Sequence, residues 1–487
     1  MVQIQSKLVP IRVTCTEYVH PWTDSCLEAI SGCYLYAVMD SFRIYATVYV
    51  LALLMRGKIP TKEDVKRTVY GILQSTAFLS GTAFGYSLFL CSLRRLLGNF
   101  NLLTASGVPA FLASVFAILI ERPSRRLLLS LYVSNVATET LWNMALVRNM
   151  VHPVKYGEIA MFSFCITTLL YYYKSGLHKT SEDDRSDSMF GVLRFVVGPY
   201  EEKDYTVRSS QASTFYRQHV APNNPSTSRG SGGGSWSASS SSPRNTVYHL
   251  VMQALRVYKR LIYKIKCLDR HHACPHPFSC LYYTMQGAGK MFGVGLGIQV
   301  ILKLILNMRR IIKSPKMTKT ILFRKDILSL AAFLGGFSGV FRGLSCVLRR
   351  ATGRDSPYYA IPAGLLAGIA FKQYPDTTVA LYVLWKMAQI TYNLGIDRGI
   401  LPKVPGFTIF LYCFSTATLF HAALLEPTTL RPSYWKFLHS ISGGRVACMN
   451  RNPLDVWGLE TSQGLIKVLK QTNTEPVVQF YGGCTCS

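Results

Sequence analysis

Two stretches decide how this chain is built: Ala77–Gly98, AFLSGTAFGYSLFLCSLRRLLG, and Ala332–Gly353, AFLGGFSGVFRGLSCVLRRATG. They align without gaps and nine of their 22 positions are identical, where ordinary residue frequencies give roughly one or two. The likeness continues in the same order on either side. LYVSNVATETLWNMALVR at Leu131–Arg148 meets LYVLWKMAQITYNLGIDR at Leu381–Arg398, and HPWTDSC at His20–Cys26 meets HPFSC at His276–Cys280. The period is far longer than a solenoid unit, so the chain reads as two fused homologous halves. Duplications of this kind build many transporter folds.

The repeated stretches are apolar and end in paired arginines. A membrane helix needs about 20 mostly apolar residues. Candidates in the first half are Val38–Met55, Gly71–Leu93, Ser106–Ile120, Leu127–Val147 and Ile159–Tyr173, the last closing on three tyrosines as at a membrane interface. In the second half they are Met291–Leu306, Ile327–Leu348, Tyr358–Phe371, Thr378–Leu394 and Phe407–Leu425. The expected fold class is all-α: a polytopic membrane helical bundle of two homologous halves, with about 8–10 transmembrane helices and a disordered central linker. Five spans per half make the halves inverted and four make them parallel. The fourth stretch of each half, the most polar, decides between them, and we favour five.

Composition agrees. The 487 residues carry 53 Lys and Arg against 25 Asp and Glu, a net charge of +28, yet charged residues are only 16% and hydrophobic ones 49%. Mean hydropathy is +0.20. Soluble domains hold roughly 25% charged residues. A disordered chain is excluded by the apolar content. A nucleic-acid partner is not expected, because phosphate-binding faces sit on charge-rich soluble domains. The basic excess fits membrane-flanking loops. The first 15 residues lack the apolar core of a secretory signal and are poor in Arg and Ser for a transit peptide. Cys484, four from the end, formally fits a prenylation box, but a multispan chain has no need of a lipid anchor.

Composition shifts divide the chain into a cysteine-containing region (1–36), a first membrane repeat (37–200), a Ser/Gly-rich linker (201–246), a basic amphipathic helix with a Cys/His segment (247–290), a second membrane repeat (291–440) and a polar, peripheral tail (441–487). The linker core at Ser209–Asn245 is too polar to offset its ordering entropy. Val247–Lys266 spaces apolar residues among Arg and Lys. It reads either as a helix on an anionic membrane surface or as a solvated helix packed on the domain.

Few residues carry chemistry. Glu139, Lys386 and Arg342 fall within apolar stretches, where an ion must face a cavity, the bundle interior or a partner. Glu139 aligns with Gln389, one turn from Lys386, so an ion pair across a pseudo-twofold axis is conceivable; a structural polar pair is the plainer reading. Gly81, Gly85, Gly336, Gly339 and Gly343 make small faces for close helix packing. Cys267, His271, Cys274, His276 and Cys280 are weak candidates for a metal, since zinc takes Cys and His but no CxxC pair is present. Disulfides and free thiols are the alternatives, and no cofactor or metal is expected. No acid, base and nucleophile group together, so an enzyme is not expected.

Three blocks, ILIERPSRRLLLSLYVSNVATETLW at Ile118–Trp142, AFLGGFSGVFRGLSCVLRR at Ala332–Arg350 and LRPSYWKFL at Leu430–Leu438, resemble the transmembrane protein 135 family, as does the Cys15–Cys33 region with its HPW. Gln389 departs from the family pattern, which has an acid there. The second half is also similar to small peroxisomal membrane proteins. More distantly, both halves are similar to the Gly-rich modules of mitochondrial inner-membrane translocases. The resemblance implies a multispan protein of mitochondrial and peroxisomal membranes. It implies a non-enzymatic role in mitochondrial fission through a dynamin-related GTPase, and in peroxisome organisation and lipid metabolism. Membrane lipids and a second copy of the chain are further expected partners. A transporter or channel for a lipid-like or small anionic solute is the alternative.

Overall fold

Local chemistry sets the helix ends. Thr14 and Glu17 form a reciprocal capping box that starts α1 (Cys15–Tyr18), and Thr61 with Asp64 does the same for α3 (Lys62–Leu97). Gly98, in the left-handed region at φ +69°, closes α3 by donating its N–H to Arg94 O. Pro123 and Pro432 occupy first-turn positions, where their missing N–H costs nothing. The computed structural model describes residues 9–55, 60–177, 188–202, 243–268, 270–307 and 326–475. Residues 203–242 of the expected linker and the Cys484 motif lie outside them.

The described residues are helical. After α1 come α2 (Cys26–Met55), α3, α4 (Gly107–Ile120), α5 (Pro123–Val147), α6 (Gly157–Ser175), α7 (Ser188–Val197) and α8 (Pro243–Lys266). Then follow α9 (Cys280–Leu306), α10 (Asp326–Thr352), α11 (Ala360–Gly368), α12 (Thr377–Asp397), α13 (Phe407–Leu425), α14 (Pro432–Ile441), α15 (Arg445–Cys448) and α16 (Thr461–Thr472). Among them the one extended pairing is an isolated bridge between Ile11 and Phe100. The all-α expectation holds, and each of the ten apolar stretches falls in helix.

Four described helices are long and apolar enough to cross a membrane: Lys62–Leu97, Cys280–Ile305, Ile327–Thr352 and Phe407–Leu425. Eight to ten were expected. The difference lies partly in α4, whose 14 residues rise only about 21 Å, and in α11, which is shorter still; the hydrocarbon core is about 30 Å thick. α9 carries Leu281, Met285, Ile298, Ile301, Leu302 and Ile305 exposed on its surface, a face suited to acyl chains.

The chain divides into two compact units. Unit 1 comprises Met1–Val154 and Pro402–Ser487; unit 2 is Lys155–Leu401. The fifth apolar stretch of each sequence half thus packs in the unit mostly built by the other half: α6 lies against α11 and α12, and α13 against α4 and α5. In unit 2, Phe162 of α6 stacks on Phe371 at 4.2 Å, within a core that includes Leu169, Phe337 and Ala363. In unit 1, Cys413, Leu419 and Ala422 of α13 join Phe78, Val136 and Trp435.

The tail differs from the expectation of a peripheral segment. Trp457 is fully buried, and its indole N–H donates to Val9 O at 2.9 Å. Arg451 donates to the carbonyls of Ala423 and Leu424 at 2.8 and 3.0 Å, satisfying the C-terminal end of α13. Burial, against the pull of Tyr18 and Tyr86, lowers the Arg451 guanidinium to about 10. These polar residues read as surface because their partners are backbone carbonyls, which leave no trace in composition.

The linker boundaries also shift. Its first residue, Glu201, is buried in unit 2, and α8 begins at Pro243 rather than at Val247. From Gln253 to Arg260 the helix is exposed on every side, including Leu255, Val257 and Tyr258.

Candidate functional site

The ionisable residues expected within spans each have partners inside their own unit. Glu139 of α5 pairs with Arg431, whose Nε donates to Oε1 at 3.3 Å, each side chain about one-fifth exposed. Lys386 of α12 is buried and donates to Gln389 Oε1 at 2.9 Å. Glu139 belongs to unit 1 and Lys386 to unit 2, each with a partner of its own. Arg342 of α10 is buried over the Tyr283 ring at 4.7 Å and donates to Val196 O at 3.3 Å.

The glycines lie at helix contacts. A Cβ on Gly85 would stand 3.1 Å from Ala113 Cβ, and one on Gly339 3.1 Å from Ala288 Cβ. Gly81, Gly336 and Gly343 have looser neighbours, at 3.5 Å from Ile120, Ala370 and Thr284. The tightest approach of α9 to the α10 backbone falls at Gly295, where a Cβ would lie 2.8 Å from Ala331 Cα. Sequence reading passed over Gly295 because it sits in a run of alternating glycines.

A buried charge network in unit 2 was also missed. Arg349 of α10 donates from Nη1 and Nη2 to Glu201, at 3.0 and 2.5 Å, and from Nε to Asp355 Oδ1 at 2.9 Å. Lys174 of α6 lies 3.1 Å from the same Asp355 oxygen, and the Tyr283 hydroxyl donates to Glu201 Oε1 at 3.3 Å. Burial would raise the Glu201 carboxyl, but the Arg349 and Lys174 charges outweigh it and hold the group down to about 2.

The cysteines and histidines form two groups. Cys274, His276, Cys280 and Cys346 bring one ligand atom each within 4.8 Å of the others, and so do Cys15, His20, Cys26 and Cys91. In the first group Cys274 Sγ is 3.7 Å from Cys280 Sγ, and Cys346 Sγ is 3.4 Å from His276 Nε2. In the second, His20 Nε2 is 3.3 Å from Cys26 Sγ. Both imidazoles turn Nδ1 to a backbone carbonyl: His20 to Thr23 O at 2.9 Å, His276 to Phe278 O at 2.6 Å. Two of the expected candidates fall outside. Cys267 is exposed, and His271 Nδ1 accepts from the Ala273 N–H at 3.3 Å. Cys91 and Cys346 were missed as ligands although they occupy the same place in the two aligned stretches.

Unit 1 also holds two adjoining apolar cavities of about 100 and 200 Å³, which share Ala83, Phe420, Leu438 and Ile441. His20 and Arg445 are among the residues lining the smaller one, and Tyr45 and Tyr132 line the larger.

Residues 12–146 match the family model of the N-terminal cysteine-rich region of Transmembrane protein 135. The match covers α1 to α5 with the whole Cys15–His20–Cys26–Cys91 group, and it supports a relationship to the transmembrane protein 135 family. No solved structure matches the chain.

Proposed function

With the relationship to the transmembrane protein 135 family as premise, we propose that this multispan membrane protein regulates mitochondrial fission and peroxisomal lipid metabolism without catalysing a reaction. The match over residues 12–146 carries this reading. The internal pairing of Glu139, Lys386 and Arg342 supports it, because ions held by fixed partners hold a bundle together. The basic helix α8, exposed along Gln253–Arg260, is the element that meets membrane lipids or a dynamin-related GTPase. The test is a full-length chain tagged within residues 209–242 and scored against mitochondrial and peroxisomal markers, beside a chain lacking residues 209–266. Localisation to either organelle, with organelle shape altered by the deletion, is the expected result. Unchanged shape removes the recruitment role of α8; absence from both organelles removes the reading.

A second reading, a carrier of a lipid-like or small anionic solute, draws on the paired apolar cavities of unit 1. It requires that the chain in liposomes move fatty acyl substrates, and that bulky substitution at Ala83 slow that movement. Absence of flux removes its simplest form.

A further inference from the structure

We infer that the chain carries two structural zinc sites, one formed by Cys15, His20, Cys26 and Cys91 and the other by Cys274, His276, Cys280 and Cys346. The argument begins with distance. A tetrahedral zinc with Zn–S about 2.3 Å and Zn–N about 2.0–2.1 Å places its sulfurs roughly 3.8 Å apart and a sulfur and nitrogen roughly 3.5 Å apart. The separations of 3.7, 3.4 and 3.3 Å fit that tetrahedron. A disulfide would need its sulfurs at about 2.05 Å, and would have no use for the imidazole that lies against a thiol in each group.

The histidines supply a second observation. A zinc-bound imidazole commonly donates its other ring N–H to a carbonyl or carboxylate, which fixes the tautomer and frees the facing nitrogen for the metal. His20 and His276 both take this arrangement, with Nε2 facing the thiols and Nδ1 against a carbonyl oxygen. An Nδ1–H there leaves Nε2 as a lone-pair donor, the state a metal requires.

Recurrence supplies the third. The cysteine and histidine positions are spaced differently in the two loops: four residues and then five separate Cys15, His20 and Cys26, but one and then three separate Cys274, His276 and Cys280. The same four ligand types nonetheless converge, and the fourth comes from equivalent points of α3 and α10. Loops of different length that close the same constellation answer to the constellation.

The donor set selects the metal. Three thiolates and an imidazole are soft and borderline ligands, which excludes calcium and magnesium, and four protein ligands in a tetrahedron leave no open position. The sites are therefore structural. Each fastens a loop and the first residue of a long helix, Cys26 of α2 or Cys280 of α9, to the far end of the helix that follows. The hairpins α2–α3 and α9–α10 are thereby closed at one end, and metal binding becomes part of their folding free energy.

Zinc content of the full-length chain, purified in detergent under reducing conditions without chelator, tests this. Two zinc ions per chain are expected, falling to one in Cys91→Ser, to one in Cys346→Ser, and to none in the double variant. Should the variants fail to fold, zinc-edge X-ray absorption of the unaltered chain gives the same answer, with three sulfurs at about 2.3 Å and one nitrogen at about 2.0–2.1 Å. Background zinc in a folded chain overturns the inference. So does stoichiometric iron or copper in its place, or a disulfide within either group after thiols are trapped in the cell.

Discussion

Arg349 grips Glu201 with both terminal nitrogens of its guanidinium, at 3.0 and 2.5 Å, and both side chains are fully buried. The pair joins the short turn Pro199–Glu201 to the end of α10, with Lys174 of α6 drawn in beside it. Removing Glu201 leaves the buried Arg349 and Lys174 to share the part-exposed carboxylate of Asp355, and breaking a buried pair in this way costs about 3–5 kcal/mol. Glu201→Gln is expected to lower the thermal midpoint of unit 2 strongly in detergent. Replacing the pair together by apolar residues recovers much of the loss.

Acid should act through the same carboxylate. Its folded pKa is depressed to about 2 by Arg349 and Lys174 against the opposing effect of burial, whereas an unfolded Glu titrates near 4.3. The stabilisation is thus complete above about pH 4.3 and is lost as pH falls toward 2. Thermal midpoints measured across this window should fall more steeply for the native chain than for Glu201→Gln. Parallel curves would show that Glu201 does not carry the slope.

Helix spacing gives a contrast between two glycines. At Gly295 a Cβ would meet Ala331 Cα at 2.8 Å and Leu330 O at 2.9 Å, both backbone. Gly295→Ala should force α9 from α10 and cost about 1–3 kcal/mol. At Gly81 the nearest atom is the end of the Ile120 side chain at 3.5 Å. Gly81→Ala should leave the melting temperature level or raise it, since Ala is the better helix former by up to about 1 kcal/mol.

The Glu139–Arg431 pair is partly exposed and should behave more mildly. Glu139→Gln is expected to lower stability by less than the Glu201 change. Glu139→Gln with Arg431→Met should recover to near the native midpoint, because no lone charge then remains.

Truncation tests the tail. A chain ended after Gly444 loses Arg451 and Trp457 and so uncaps α13. Limited proteolysis should then cut within residues 62–147, while residues 326–397 keep their protection. Equal protection of both regions would show that the tail is dispensable.

Much of this fold was legible because membrane helices are written locally. The apolar run at Gly71–Leu93 and the aligned run at Ile327–Leu348 declare themselves by length and composition, and Arg94 and Arg349 mark their ends. What stayed hidden depends on distance along the chain. Cys91 sits in an apolar helix far from Cys15 and His20, so no spacing rule links them; the signal lay in aligning the two stretches and asking which polar positions recur. Glu201 looked like the start of a polar linker, because its partners Lys174 and Arg349 come from separate helices. The destination of α6 and α13 had no local signal at all, since an apolar face fits either unit equally well.

That exchange sets an order of assembly. Unit 2 is one uninterrupted run of chain, Lys155–Leu401, whereas unit 1 needs both Met1–Val154 and Pro402–Ser487. Synthesis proceeds at about 5–20 residues per second, and domains generally fold as they emerge. The part made first is therefore the last to be finished. Helices α4 and α5 must wait while all of unit 2 is translated, their apolar flanks open where α13 will later lie. During that interval a chaperone or a neighbouring chain has its best access to them, and ribosomal pausing within Lys155–Leu401 would prolong the exposure.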